Sequence, residues 1–187
     1  KIVKGADWES DIGQVVEVVC HDENTPTILF DEVKGSPKGF RLLINWFTGT
    51  RKNLTLGFPS QLNKLELSQA YHLHTRSLTP IPHVIVKDGP IFENITEGVD
   101  VDITKFPSPL WNPEDGGRYI GTGCFNITRD PDSGWINCGT YRVMVQDKNT
   151  TGIWMSPGKH GRMIREKYFD KGEPCPVLIS CGQDPLL

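Results

Sequence analysis

No apolar run in this 187-residue chain approaches the ~20 residues of a membrane-spanning helix, so no membrane-embedded function is expected. No basic block occurs either. Twenty Lys and Arg residues are interspersed among 23 Asp and Glu, which argues against nucleic acid and anionic membrane as partners. Cysteine is sparse and unpatterned. Cys20, Cys124, Cys138, Cys175 and Cys181 are odd in number, and no two are spaced C-x-x-C. Neither a disulfide framework nor a structural zinc site is therefore expected, and the thiols read as the reduced cysteines of a cytoplasmic protein. Also missing are a Walker loop, a Ser-His-Asp order and a Rossmann fingerprint. Gly121-Thr122-Gly123 lacks the third glycine and the following helix.

One pattern points elsewhere. N-x-S/T sequons begin at Asn53, Asn94, Asn126 and Asn149, where roughly one is expected by chance. They keep an extracellular glycosylated binding domain as an alternative, which the cysteine usage opposes. Lys1 is not a methionine, and Leu187 follows directly on an expected strand and turn, so the chain reads as a piece of a longer polypeptide.

The hydrophobic periodicity predicts an α+β protein in two regions. Residues 1–98 form a small N-terminal α/β layer. A helix is expected over 8–19, with Ile12, Val15, Val16 and Val19 on one face and Asp7 as N-cap. Strands follow over 27–33 and 41–47, then a helix over 61–73 capped by Ser60, with Leu62, Leu65 and Ala70 inward. Pro80, Pro82 and Pro90 make 79–90 a crossing segment with one short strand at His83–Val86. Residues 99–187 open with a proline-rich covering loop that must bury Ile103, Phe106, Leu110 and Trp111. Two long strands, 119–129 and 135–146, are joined by Asp130-Pro131-Asp132-Ser133-Gly134, which is strong hairpin chemistry. A strand over 151–155, a helix over 160–169 closed by Gly172 and a strand over 177–181 complete the region.

The chemistry concentrates in Trp135-Ile136-Asn137-Cys138-Gly139-Thr140-Tyr141-Arg142 and in Lys159-His160. Strand alternation puts Asn137, Gly139 and Tyr141 on one face and Cys138, Thr140 and Arg142 on the other. Gly139 could permit a bulge and leave room for a flat ligand. His160 opens a helix beside Lys159, where an anion is favoured. A neutral imidazole with the Asn137 amide oxygen could also ligate a divalent metal. The plainer alternative is a hairpin strand with an exposed arginine and a surface histidine at a helix start. Glu114 and Asp115 read as a turn before the hairpin.

These segments, in this order, resemble UbiD-type decarboxylases: Asp102-Ile103-Thr104-Lys105-Phe106-Pro107, Asp115-Gly116-Gly117-Arg118-Tyr119-Ile120, Asn137 to Arg142, and Gly158-Lys159-His160. Phe30 to Gly35 and Asn45 to Arg51 are similar to the family's N-terminal region. The resemblance implies a split antiparallel β-barrel of flavin-reductase type carrying prenylated FMN, with a divalent metal, typically Mn2+, and K+ bridging the flavin phosphate to the protein. It implies Asn137 and His160 as metal ligands and the Trp135 carbonyl toward potassium. Cys138, Gly139, Thr140, Tyr141 and Arg142 would line the flavin, with Lys159 beside it. Arg142 would be the arginine of a Glu–Arg–Glu network.

The family's third metal ligand, both glutamates and the C-terminal oligomerisation domain have no counterpart in these residues. Pro109 to Gly117 is similar to members acting on hydroxybenzoates. The implied reaction is therefore the reversible, non-oxidative decarboxylation of an acid such as protocatechuate, gallate or vanillate. Implied partners are the aromatic acid, CO2, further copies of the chain and a flavin prenyltransferase. The alternatives are a non-catalytic flavin- or metal-binding fragment or split subunit, and a decarboxylase of cinnamic-type acids.

Overall fold

The computed structural model describes residues 1–22 and 24–184. Its first layer comprises β1 (Ile2–Lys4), α1 (Asp11–Val19), β2 (Ile28–Asp31) and β3 (Leu42–Ile44). β1 and β2 are parallel with α1 as the crossover, and β3 returns antiparallel to β2. Ile12 of α1 packs with Phe30, Val33, Ile28 and Ile44, and the Val15, Val16 and Val19 stripe closes over them. Phe30 and Ile12 have no exposed surface, and each such side chain contributes about 1.5–3 kcal/mol. α1 begins later than the periodicity suggests because Asp7 folds residues 8–10 into a turn. The Asp7 carbonyl accepts the N–H groups of Asp11 and Ile12, and its carboxylate accepts that of Glu9.

Two helices come next. α2 (Gly49–Thr55) is absent from the sequence expectation. It is held by Arg51, whose guanidinium donates to the carbonyls of Asn45 and Thr25 and to the Thr48 hydroxyl. α3 (Lys64–Ser77) starts at Asn63 and not at Ser60, because Asn63 and Glu66 form a reciprocal capping box. Leu67 is buried and Leu65 exposed, which corrects the expected inner face. His83–Val86 forms no strand, and Val84, Ile85 and Val86 lie open to solvent.

The proline-rich segment after residue 99 straps the first layer to the second region. Ile103, Leu110 and Trp111 are half-buried as expected, while Phe106 is exposed and packs edge-on against Phe40. The strap lies so close to α1 that a Cβ on Gly13 would meet the Trp111 carbonyl oxygen at 2.5 Å. Arg118 organises it. The guanidinium donates to the carbonyls of Ser108 and Phe106 and stacks 4.1 Å over the Trp8 ring.

The two long strands of the second region each break into two. β4 (Tyr119–Gly121) and β5 (Phe125–Arg129) replace the first, and β6 (Ile136–Gly139) and β7 (Val143–Val145) the second. With β8 (Thr151–Ile153) and β9 (Leu178–Ser180) they form two antiparallel sheets, ordered β4-β7-β8 and β6-β5-β9. Both breaks fall at the same level of the hairpin. Cys124 Sγ and Asn126 Nδ2 donate to the Tyr141 carbonyl there, at 3.1 and 2.9 Å, and fix the bend in the second strand. Glycine at 121, 123 and 139 allows the turn from one sheet to the other. Among the described residues the strands form separate three-stranded sheets and no closed barrel. α4 (His160–Asp170) comes after the Ser156-Pro157-Gly158 turn and packs on β5 and β6. Gly172 ends it in the left-handed conformation, φ 72.

All five cysteines are unpaired, and among the described residues no helix is long and apolar enough to cross a membrane. Asn53 and Asn126 are buried with their amide nitrogens engaged, so two of the four sequons cannot carry a glycan in this fold.

Candidate functional site

The hairpin turn sets the geometry. Asp130 accepts the N–H groups of Asp132 and Ser133 through Oδ1, and its own N–H donates to the Trp135 carbonyl at 2.8 Å. This register places Thr128 opposite Asn137 and Asn126 opposite Gly139. The expected alternation holds. Asn137 and Tyr141 point inward, whereas Cys138, Thr140 and Arg142 are exposed.

Asn137 is 4% exposed. Its Nδ2 donates to Thr128 Oγ1 at 3.3 Å and to the Tyr141 hydroxyl at 3.4 Å. The same hydroxyl accepts the Gly161 N–H at 3.0 Å, one residue beyond His160. A second contact joins the same elements, because the rings of Trp135 and His160 meet edge to face with centroids 5.2 Å apart. The structure thus gathers Trp135, Asn137, Tyr141 and the first turn of α4 into one cluster, with Lys159 exposed at the N-cap of the helix.

On its Cβ side Gly139 meets the Tyr141 ring. A Cβ on Gly139 would strike the Tyr141 ring at 2.8 Å, and one on Gly161 would strike it at 2.9 Å and its hydroxyl at 2.8 Å. The phenol is therefore wedged between two glycines. The Trp135 carbonyl, expected to face a cation, uses one lone pair on the Asp130 N–H and keeps the other.

Arg142 stands apart from this cluster. It borders an open cleft of about 410 Å³ with Tyr119, Met144, Gly152, Ile153 and Trp154. Among the described residues its guanidinium has no acidic partner. A larger cleft of about 1650 Å³ separates the N-terminal layer from β4 and β7, and none of Asn137, Arg142 or His160 lines it.

Sequence reasoning missed the clamp that holds α4 in place. Lys167 Nζ lies 2.6 Å from Asp130 and 3.2 Å from Asp132, and Lys171 lies 2.7 Å from Asp132. Hydrogen bonding from Lys167, together with the Ser133 and Asp132 N–H groups, holds the Asp130 carboxyl far below the usual range. The spacing of Lys167 and Lys171 at i,i+4, facing a turn with two aspartates, was the available signal.

The donor set suits a hard or borderline divalent metal. The Asn137 carboxamide turns its nitrogen to the two hydroxyls, and among the described residues its oxygen accepts no hydrogen bond. The His160 imidazole supplies a nitrogen on the neighbouring element. Glu17, Cys20 and His21 also bring donor atoms within 4.8 Å of one another. They are exposed at the far end of α1, and the Glu17–His21 contact of 3.2 Å is an ordinary i,i+4 pair.

Residues 83–187 match the family model described as "UbiD: 3-octaprenyl-4-hydroxybenzoate carboxy-lyase Rift-related domain". The chain belongs to the UbiD family. It is 30% identical over 187 aligned residues to pyrrole-2-carboxylic acid decarboxylase of Pseudomonas aeruginosa, covering 96% of this chain and 37% of that protein. The closed form of vanillic acid decarboxylase from Sedimentibacter hydroxybenzoicus superposes with a TM-score of 0.86 at 26% identity, over 99% of this chain and 40% of the other. An evolved dimeric form of the UbiD-class enzyme HmfF from Pelotomaculum thermopropionicum, in complex with prFMN, shares the fold. Its TM-score is 0.79 at 23% identity, over 99% of this chain and 42% of that one. The chain therefore spans about two fifths of the length of these UbiD relatives.

Proposed function

We propose that this chain is the cofactor-binding portion of a prenylated-FMN-dependent decarboxylase acting on a hydroxylated benzoic acid such as vanillate, protocatechuate or gallate. In this reading residues 1–98 are the N-terminal region. Residues 99–187 contribute to a split flavin-reductase-type barrel that the remaining polypeptide completes. The observation that carries it is the junction of β6 with the first turn of α4. There a free carboxamide oxygen on Asn137 and the His160 imidazole stand on adjoining elements, tied through Tyr141 and Trp135.

Asn137 and His160 would hold Mn2+, and the remaining lone pair of the Trp135 carbonyl would face K+. Lys159 and the N-terminus of α4 add positive potential for the flavin phosphate. The exposed backbone and side chains of Cys138, Thr140 and Arg142 would lie against the cofactor. Prenylated FMN, when bound, supplies the electrophile that activates the ring carbon bearing the carboxylate. The bond from that carbon to the carboxylate breaks, CO2 leaves, and a proton is delivered to the same ring carbon. Arg142, planar, permanently charged and unpaired among the described residues, would orient the substrate carboxylate.

The acid that returns the proton would come from the rest of the polypeptide or from a separate chain. Further copies of the chain and a flavin prenyltransferase complete the proposed partners. That Arg142 has no acidic partner among the described residues favours this reading over a self-sufficient 187-residue enzyme, and it keeps the split-subunit alternative open to the same test.

The test is mass spectrometry of the small molecule released on denaturing the full-length protein after co-expression with a flavin prenyltransferase. Prenylated FMN at near-unit stoichiometry is expected. Full-length protein that releases no flavin overturns the proposal.

A further inference from the structure

Asn137 can serve a cation only through its oxygen, because an amide NH2 has no lone pair to give. Left alone, the carboxamide can turn either end toward the site. In this fold Nδ2 contacts two hydroxyl groups, Thr128 Oγ1 at 3.3 Å on the paired strand and the Tyr141 hydroxyl at 3.4 Å beyond the bend. With Nδ2 turned to these two hydroxyls, Oδ1 is the end that accepts no hydrogen bond among the described residues.

The second acceptor is itself fixed. The Tyr141 hydroxyl takes the Gly161 N–H at 3.0 Å. Its ring cannot swing away, because Gly139 and Gly161 flank it so closely that a Cβ would overlap it at 2.8 Å on Gly139 and at 2.9 Å on Gly161. Tyr141 is 9% exposed, and Asn126 and Cys124 pin its carbonyl. One phenol thus touches the amide of Asn137 and the backbone of the residue after His160.

From this we infer that Tyr141 is a positioning residue. It holds the Asn137 carboxamide in place and sets the spacing between its oxygen and the His160 imidazole, so that the two bind one divalent metal. The inference rests on the proposed Asn137–His160 metal site and adds to it a residue outside the ligand set. Groups of this kind, one bond removed from the metal, commonly change its affinity by about 10–100-fold.

The experiment uses full-length protein reconstituted with FMN and titrated with Mn2+, following the six-line electron paramagnetic resonance signal of the free ion. Tyr141→Phe keeps the ring between its two glycines and deletes only the hydroxyl. It is expected to weaken Mn2+ binding by about 10-fold or more. Thr128→Val removes the other acceptor and leaves the contact with Gly161 intact. It is expected to weaken Mn2+ in the same direction, which a role confined to tethering α4 would not produce. Unchanged affinity in Tyr141→Phe, or a loss in Tyr141→Phe with none in Thr128→Val, overturns the inference while the metal site stands. Wild-type protein that holds no Mn2+ overturns both.

Discussion

Lys167 Nζ sits 2.6 Å from Asp130 Oδ2, and the carboxylate that receives it also caps the β5–β6 turn through Oδ1. One aspartate therefore closes the hairpin and anchors the helix that carries His160. The Asp130 side chain is only 10% exposed and that of Lys167 41%, so the pair is better shielded than an ordinary surface bridge.

The folded pKa of Asp130 is depressed, so its stabilising contribution is fully present above the unfolded carboxylate value of about 3.9. It is lost as pH falls toward the folded value. Lys167, raised by the same partner, keeps its charge throughout that window. Asp130→Asn is expected to lower the urea midpoint at pH 7. The gap from wild type should narrow steadily below pH 4. A gap that stays constant down to pH 2.5 would sink the assignment.

Gly161→Ala places a methyl group 2.8 Å from the Tyr141 hydroxyl and 2.9 Å from its ring. Overpacking of this kind costs about 1–3 kcal/mol. Thermal melting of Gly161→Ala should show the loss, and the double variant with Tyr141→Leu should recover part of it. If Gly161→Ala melts like wild type, the phenol is not tightly wedged between the two glycines.

Arg142→Ala should abolish turnover of the complete enzyme, with a loss of at least about 100-fold, the scale of one preorganised charge. The flavin should stay bound, because Arg142 lies apart from the Asn137–His160 cluster. Arg142→Lys should recover little, since a lysine lacks the planar fork. Turnover surviving Arg142→Ala rules out the role given to it.

Arg118→Met removes the donor shared by the Ser108 and Phe106 carbonyls and the stack on Trp8. Burial already pushes the guanidinium pKa down, a sign of how far it is removed from water. The Ser108 and Thr104 carbonyls lose their donor, while that of Phe106 keeps the Ser108 N–H, so a loss of about 1–3 kcal/mol is expected, read as a lower denaturation midpoint. In hydrogen exchange, amides of 104–118 should lose protection before those of α1.

His160→Ala should release Mn2+ and flavin together, measured as metal and FMN content per chain after dialysis. Retention of both at wild-type stoichiometry would contradict the ligand assignment.

Local chemistry wrote much of this molecule into the sequence. The α1 stripe of Ile12, Val15, Val16 and Val19 has the 3.6-residue period and was buried accordingly. The Asp-Pro-Asp-Ser-Gly turn fixed the hairpin register, and Gly172 closed α4. Alternation along the strand correctly put Asn137 and Tyr141 on the inner face. Asn63 and Glu66 were legible as a capping box, and Ser60 was the weaker choice.

What only the tertiary structure decided is where contacts cross the chain. Two strands that read as continuous were split at a common bend, because Cys124 and Asn126 reach over to the Tyr141 carbonyl. The Cβ side of Gly139 is filled by a ring two residues away. The Lys167–Asp130 bridge and the chain from Asn137 through Tyr141 to Gly161 join residues 37 and 20 apart. Periodicity and capping are properties of neighbours along the backbone and survive in a one-dimensional reading. Packing and hydrogen bonding between distant segments depend on how sheets bend and helices dock, and those are settled only when the whole chain closes on itself.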